Sequence, residues 1–135
     1  MSMRSRWLDV DTSRRTTVDI TDSAATFVRD CGSGLLNVFV PHATAGIAVM
    51  ETGSGSDEDL VDALHTLLPR DDRYRHRHGS RGHGADHVLP ALVSPSVTVP
   101  VQDGRMQLGT WQRLVLVDLN ADNPRRRIQL SFIAG

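Results

Sequence analysis

The pair Asp103-Gly104, set between Val97-Thr-Val-Pro-Val101 and Arg105-Met-Gln-Leu108, constrains the fold of this chain most. Both positions tolerate positive φ, which favours a type I′ turn and returns the chain as an antiparallel neighbour. The last forty residues continue in that manner: Leu114-Val-Leu-Val117 and Ile128-Gln-Leu-Ser-Phe132 are strand-like runs parted by the turn-rich Asn120-Ala-Asp-Asn-Pro124. Upstream, Arg15-Thr-Thr-Val-Asp-Ile20 alternates as a strand, residues 21–30 read as a helix stopped by Gly32, and residues 35–40 and 45–50 are β-rich. The clearest helix covers residues 56–68, where Ser56 with Asp59 resembles a capping box and Leu60, Val61, Leu64, Leu67 and Leu68 form an apolar stripe closed by Pro69. A shorter helix is expected over residues 86–93. These signals predict a single α+β domain over residues 1–135, a mostly antiparallel β-sheet or sandwich with two or three short helices. Helical crossovers are too few for a doubly wound sheet, and no Gly-x-Gly-x-x-Gly follows a strand.

Composition removes several function classes. All fifteen basic residues are arginine. Without lysine there is no Schiff-base chemistry, no covalent pyridoxal phosphate and no Walker-type phosphate loop. A formal net charge of −1 with 4% aromatic residues argues against a nucleic-acid partner, which asks for a basic balance and stacking rings. No apolar run approaches the roughly 20 residues of a membrane span, and the N-terminus lacks the apolar stretch of a secretory signal, so the cytoplasm is the expected compartment. The lone Cys31 agrees with that compartment and reads as a packing residue.

Chemistry concentrates in the long polar segment of residues 70–84 and just beyond it, because four of the six histidines lie between positions 76 and 87. Imidazole is the commonest ligand for transition metals, and His76, His78, His83 and His87 are interleaved with Arg73, Arg75, Arg77 and Arg81, whose planar forks grip phosphate or carboxylate. His83 and His87 would share a face in a helix, His76 and His78 in an extended segment. The stretch from His83 to His87 has zincin spacing, but Gly84 stands where the glutamate base is required, so a zincin protease is rejected. A three-imidazole site fits Zn²⁺ or a similar ion, and Mg²⁺ would enter with a diphosphate substrate. Candidate acid/base residues are Asp86, beside His87, Glu51, at the end of the strand after His42, and His83. Arg75, Arg77 and Arg81 are the candidate anion-binding residues, whereas Arg125-Arg-Arg127 reads as a solvated strand edge. His65 reads as a helix-surface or subunit-contact residue. Gly109-Thr110-Trp111-Gln112 suggests close backbone approach to a ligand or to another subunit, with structural packing the favoured reading, and no Gly-x-Ser-x-Gly elbow surrounds Ser80, Ser94 or Ser96.

Pro41-His42-Ala-Thr-Ala-Gly46, Glu51, Tyr74-Arg-His76, His87, Ser96-Val-Thr-Val-Pro100 and Asp103-Gly-Arg-Met-Gln-Leu-Gly-Thr-Trp-Gln112 together resemble the YjbQ-type, or secondary thiamine-phosphate synthase, family over residues 15–133. The resemblance implies a small α+β domain, a homotrimer, and a metal site near subunit boundaries. It places the ligands on His42, His76 and His87. The chain departs from the family pattern at Gly82 and His83, where an acidic or Asp-Asn pair is usual, at Asp86 in place of alanine and at Met50 in place of asparagine. These departures leave open whether His83 or Asp86 has taken a ligand position. The implied activity joins a hydroxymethylpyrimidine diphosphate to a thiazole phosphate with release of pyrophosphate. The competing expectations are a non-catalytic trimer that binds a metal or small anion, and histidines that only knit subunits together.

Overall fold

The computed structural model describes residues 2–135. In chain order the elements are β1 (Met3–Asp11), β2 (Thr17–Asp19), α1 (Thr21–Val28), β3 (Gly34–Phe39), β4 (Gly46–Met50), α2 (Ser56–Leu67), α3 (His83–Leu92), β5 (Ser96–Gln102), β6 (Arg105–Met106), β7 (Arg113–Val117) and β8 (Arg125–Ala134). They form a five-stranded sheet in the order β1-β8-β3-β5-β6 and a three-stranded sheet β2-β7-β4, with every pairing antiparallel. This is the expected α+β architecture. The turn between β5 and β6 has φ of 50° at Asp103 and 76° at Gly104, as a type I′ hairpin requires.

The layers follow from how each strand distributes its apolar residues. Leu36, Val38, Val99, Val101, Ile128, Leu130 and Phe132 turn inward from the large sheet and meet Leu114 and Leu116 of β7 and Ala24, Phe27 and Val28 of α1. The alternate residues of β7, Val115 and Val117, face the other way onto Leu64, Leu68, Ala85 and Leu89 of the α2 and α3 region. β7 is thus buried on both faces, which is why its sequence reads Leu-Val-Leu-Val without polar alternation. The small sheet is the middle layer, and α3 is anchored directly on it.

Three local expectations are corrected. Residues 3–11, to which no element was assigned, pair along their whole length with β8. At α2, Ser56 makes no side-chain cap, because Gly55 at φ 102° occupies the cap position and its carbonyl accepts the Asp59 N–H. The triple arginine does not lie on an edge: β8 runs between β1 and β3, and Arg126 is 2% exposed. The inward position of Arg126 is neutralised by Asp118, whose carboxylate accepts from Nε at 2.7 Å and from an NH2 group at 2.9 Å. Trp111 is 71% exposed in the single protomer, on a turn closed by Gly109 N–H donating to Gln112 Oε1. His65 lies on the exposed side of α2, and Cys31 packs at the rim of the main core, both as expected.

Candidate metal centre

α3 begins at His83, three residues earlier than the sequence indicated, so His83 and His87 stand one turn apart on the same helix face. Their Nε2 atoms are 3.0 Å apart. His76 arrives from the preceding loop, its ring centroid 4.2 Å from that of His87 and 5.2 Å from that of His83. Gly84 makes that approach feasible, because a Cβ there would lie 2.5 Å from Tyr74 Cβ and 2.7 Å from the His76 carbonyl oxygen. The zincin glutamate position is therefore occupied by the one residue that lets the loop touch the helix. One nitrogen from each of His76, His83 and His87 lies within 4.8 Å of the others. The His78 ring meets His76 edge-on, with centroids 3.9 Å apart, but stands outside that set of three.

The electrostatics keep His76 and His87 ready to ligate. Removal from water pushes His76 and His87 below the ordinary histidine range, and the neighbouring imidazoles push the same way. Neutral imidazoles carry the lone pair a metal needs. His83 Nδ1 lies 2.8 Å from Asp122 Oδ2, a carboxylate behind an imidazole of the kind that orients metal ligands. The backbone N–H of Ser80 holds Asp122 low in pKa, with His83 adding to that effect.

Asp86 does not offer its oxygens to the cluster. Arg70 grips both of them, at 2.6 and 3.1 Å, and Asn120 Nδ2 donates to Oδ2 at 3.0 Å, with the Asp86 side chain 1% exposed. Asp86, expected as an acid/base residue, is held instead in an internal ion pair in the first turn of α3. Glu51 is half-buried just beyond β4, and among the described residues nothing joins it to the imidazoles. His42 is also apart: its Nε2 accepts the Arg127 backbone N–H at 3.0 Å, in a recess lined by Asp9, Asp11 and Arg125. Burial and the charge of Arg126 keep His42 low in pKa. Within one protomer, then, the structure unites His76 and His87 with His83, not with His42.

A cavity of about 460 Å³ opens beside the rings, lined by His76, His78, His83, Arg77 and Arg81. Arg77 Nε donates to the Tyr74 carbonyl and Arg81 Nε to the Arg70 carbonyl, which leaves the terminal nitrogens of both guanidiniums for an anion. Arg75 is exposed and does not line this cavity. Of the carboxylates lining it, Asp71 is engaged by Arg73 and only Asp72 remains. The donor set is imidazole, not oxygen, which suits Zn²⁺ and fits Mg²⁺ poorly. Tetrahedral Zn²⁺ sites place ligand nitrogens about 3.3 Å apart, close to the observed 3.0 Å between His83 and His87.

Sequence reasoning missed Arg70, Asn120 and Asp122. The signal for the last two was the Asx-rich turn 120–124, because such side chains accept backbone N–H groups two residues on: Asn120 Oδ1 accepts from Asp122 and Asn123, and Asp118 Oδ1 from Asn120.

The chain as a whole is similar to known proteins. Residues 6–135 match the family model described as UPF0047 protein YjbQ-like. A UPF0047 protein of Mycobacterium tuberculosis is 69% identical over 128 residues, covering 95% of this chain and 99% of that one. The UPF0047 protein YugU of Bacillus subtilis is 32% identical, covering 86% and 87%. A crystal structure of a hypothetical protein from Aeropyrum pernix K1 superposes with a TM-score of 0.86 at 30% identity, covering 98% of this chain and 99% of that one.

Proposed function

This chain belongs to the UPF0047 YjbQ-like family, and we propose that it is a Zn²⁺-dependent enzyme acting on a phosphorylated small molecule. The observation that carries the reading is the 3.0 Å approach of two Nε2 atoms beside a third imidazole, on the wall of a cavity that also presents Arg77 and Arg81. His76, His83 and His87 would hold the ion. The chemistry a bound divalent ion supplies is Lewis-acid stabilisation of charge developing on phosphate oxygens. The chain's own part is positional: Arg77 and Arg81, tethered through Nε, bind the anion with their terminal nitrogens and orient it toward the rings. The finer reading, drawn from the resemblance, is thiamine-phosphate formation, in which pyrophosphate departs from carbon and the arginines absorb its charge.

We further propose a homotrimer. The outer face of the large sheet supports self-association, since it exposes Met3, Ile133 and Leu35 in one row across three strands and Trp7 and Phe39 in another. His42 lies at the charged end of this face, beside Asp9 and Arg127, and is assigned to the subunit boundary, away from the ligand set of its own protomer.

A second reading has a specific observation in its favour. Both carboxylates nearest the imidazoles, Asp86 and Asp122, are engaged in pairing, and of the acids lining the cavity only the exposed Asp72 is left as a general base. That suits a protein that binds metal and anion without turnover. Metal analysis followed by assay of pyrophosphate or phosphate release separates the two. Stoichiometric Zn²⁺ with release lost in His76→Ala, His83→Ala and His87→Ala supports the enzyme; Zn²⁺ and saturable phosphate binding without product supports the binding protein.

A further inference from the structure

We propose that Asp122 fixes His83 as its Nδ1–H tautomer and thereby aims the Nε2 lone pair into the imidazole cluster, a positioning role that rests on the metal-site reading above. His83 Nδ1 has two neighbours of opposite polarity: Asp122 Oδ2 at 2.8 Å and Asn120 Nδ2 at 3.1 Å. One is an acceptor and the other a donor, so only one can be its partner. The orientation of the Asn120 amide is set independently, because its Oδ1 accepts the backbone N–H groups of Asp122 at 2.9 Å and Asn123 at 3.0 Å. Its nitrogen end is then committed to Asp86 Oδ2 at 3.0 Å.

Were Nδ1 unprotonated, a carboxylate oxygen would face its lone pair across 2.8 Å with no proton between them. Two acceptors in contact repel each other, whereas an N–H donating to a carboxylate at that length is a charge-assisted bond. Nδ1 therefore carries the proton, and the Asn120 nitrogen is a lateral contact. Nε2 keeps the lone pair, and Nε2 is the atom that meets His87. A neutral imidazole has one donor and one acceptor nitrogen, so the choice made at Nδ1 decides what the cluster receives.

Asp122 is itself placed from the core. Arg126 clamps Asp118, Asp118 Oδ1 accepts the Asn120 N–H at 3.0 Å, and Asn120 Oδ1 accepts the Asp122 N–H. Asp118, Asn120 and Arg126 are all buried, so the exposed carboxylate hangs from a fixed frame. Ser80 N–H, donating to Oδ2 at 3.0 Å, ties the histidine loop to the same group.

The experiment needs no bound metal. Long-range proton–nitrogen correlation spectra of the metal-free, ¹⁵N-labelled protein at pH 7.5 report which ring nitrogen of His83 is protonated. The wild type is expected as Nδ1–H. In Asp122→Ala the remaining partner is the Asn120 donor, so the ring is expected to switch to Nε2–H, while Asp122→Asn, which keeps an acceptor oxygen, retains Nδ1–H. Zn²⁺ affinity, read by competition with a chromophoric chelator, is expected to fall 10–100-fold in Asp122→Ala, by about the amount that loss of such a supporting group costs. A wild-type Nε2–H ring, or a ring that stays Nδ1–H in Asp122→Ala, overturns the proposal. A wild type with Nδ1–H that takes up no Zn²⁺ supports the tautomer assignment and overturns the metal reading alone.

Discussion

Arg126 and Asp118 meet through two hydrogen bonds, at 2.7 and 2.9 Å, with 1% and 0% of their side chains exposed, and Thr44 Oγ1 accepts a third bond from the same guanidinium. Thr12 Oγ1 donates to Asp118 Oδ2 at 2.6 Å, so the loop after β3, the end of β1 and the end of β7 are joined at one buried ion pair.

Removing one member of such a pair leaves an uncompensated charge in the interior. Arg126→Ala is expected to lose about 3–5 kcal/mol of stability, measured as a lowered urea midpoint. Replacing both, as Arg126→Met with Asp118→Leu, is expected to recover only part of that loss, because the uncompensated charge is removed while Thr12 Oγ1 and the Asn120 N–H lose an acceptor. Zn²⁺ affinity is expected to stay low in the double variant, since Asp118 no longer accepts the Asn120 N–H that frames the loop behind His83. Full recovery of metal binding would show that the frame is dispensable.

The two ligand sets make opposite predictions for single substitutions. His83→Ala is expected to reduce Zn²⁺ stoichiometry as strongly as His76→Ala or His87→Ala, while His42→Ala leaves it unchanged, because His42 Nε2 is committed to the Arg127 N–H. Metal content of the purified variants decides between them. Retention by His83→Ala with loss in His42→Ala would restore the set implied by the resemblance.

The pH dependence has a definite sign. His76 and His87 are held low in the fold by loss of hydration and by neighbouring imidazoles, so the folded chain binds fewer protons than the unfolded one as pH falls. Stability of the metal-free protein is therefore full above the unfolded histidine pKa of about 6.5 and declines as pH drops through and below it. Thermal melts between pH 7.5 and 5.5 are expected to show that decline, with a flatter slope in a His76→Ala, His87→Ala double variant. An identical slope would place the acid sensitivity elsewhere, with His42 the first alternative.

Much of this architecture was legible because alternating and helical periods survive wherever a strand or helix buries one clear face, as in β3, β5 and α2. β1 was not legible because its inward positions are Arg4, Arg6, Leu8 and Val10 while Met3 and Trp7 face outward, so the pattern is inverted. Arg6 still covers the core rim, its guanidinium carbon 5.6 Å from the Phe27 ring centre, with the stem doing the work of an apolar side chain. At the metal centre, residue types were legible but membership was not. His83 enters through the helix start at Gly82, and its support comes from Asn120 and Asp122, 37 and 39 positions away, a separation no local spacing encodes. Arg126 was misread for the same reason, since only the register against β1 and β3 shows that it points inward.

The outer face of the large sheet yields the last prediction. An antiparallel sheet with one face in water ordinarily carries polar residues there, yet this face exposes Trp7 at 45%, Leu35 at 48% and Met3 at 65%. Between the two apolar rows runs a polar one, Ser5, Ser131 and Asn37, and beyond them the mixed charges Asp9, Asp11, Arg125 and Arg127, so the face can meet a copy of itself without stranding like charges. Trp7→Glu with Leu35→Glu is expected to convert the assembly to monomer in sedimentation, with far-ultraviolet dichroism unchanged because neither side chain points into the core. Leu92→Glu, on the exposed side of α3, is expected to leave the assembly intact. The reverse outcome, with dissociation by Leu92→Glu alone, would move the subunit contact onto the helical layer and detach His42 from the boundary.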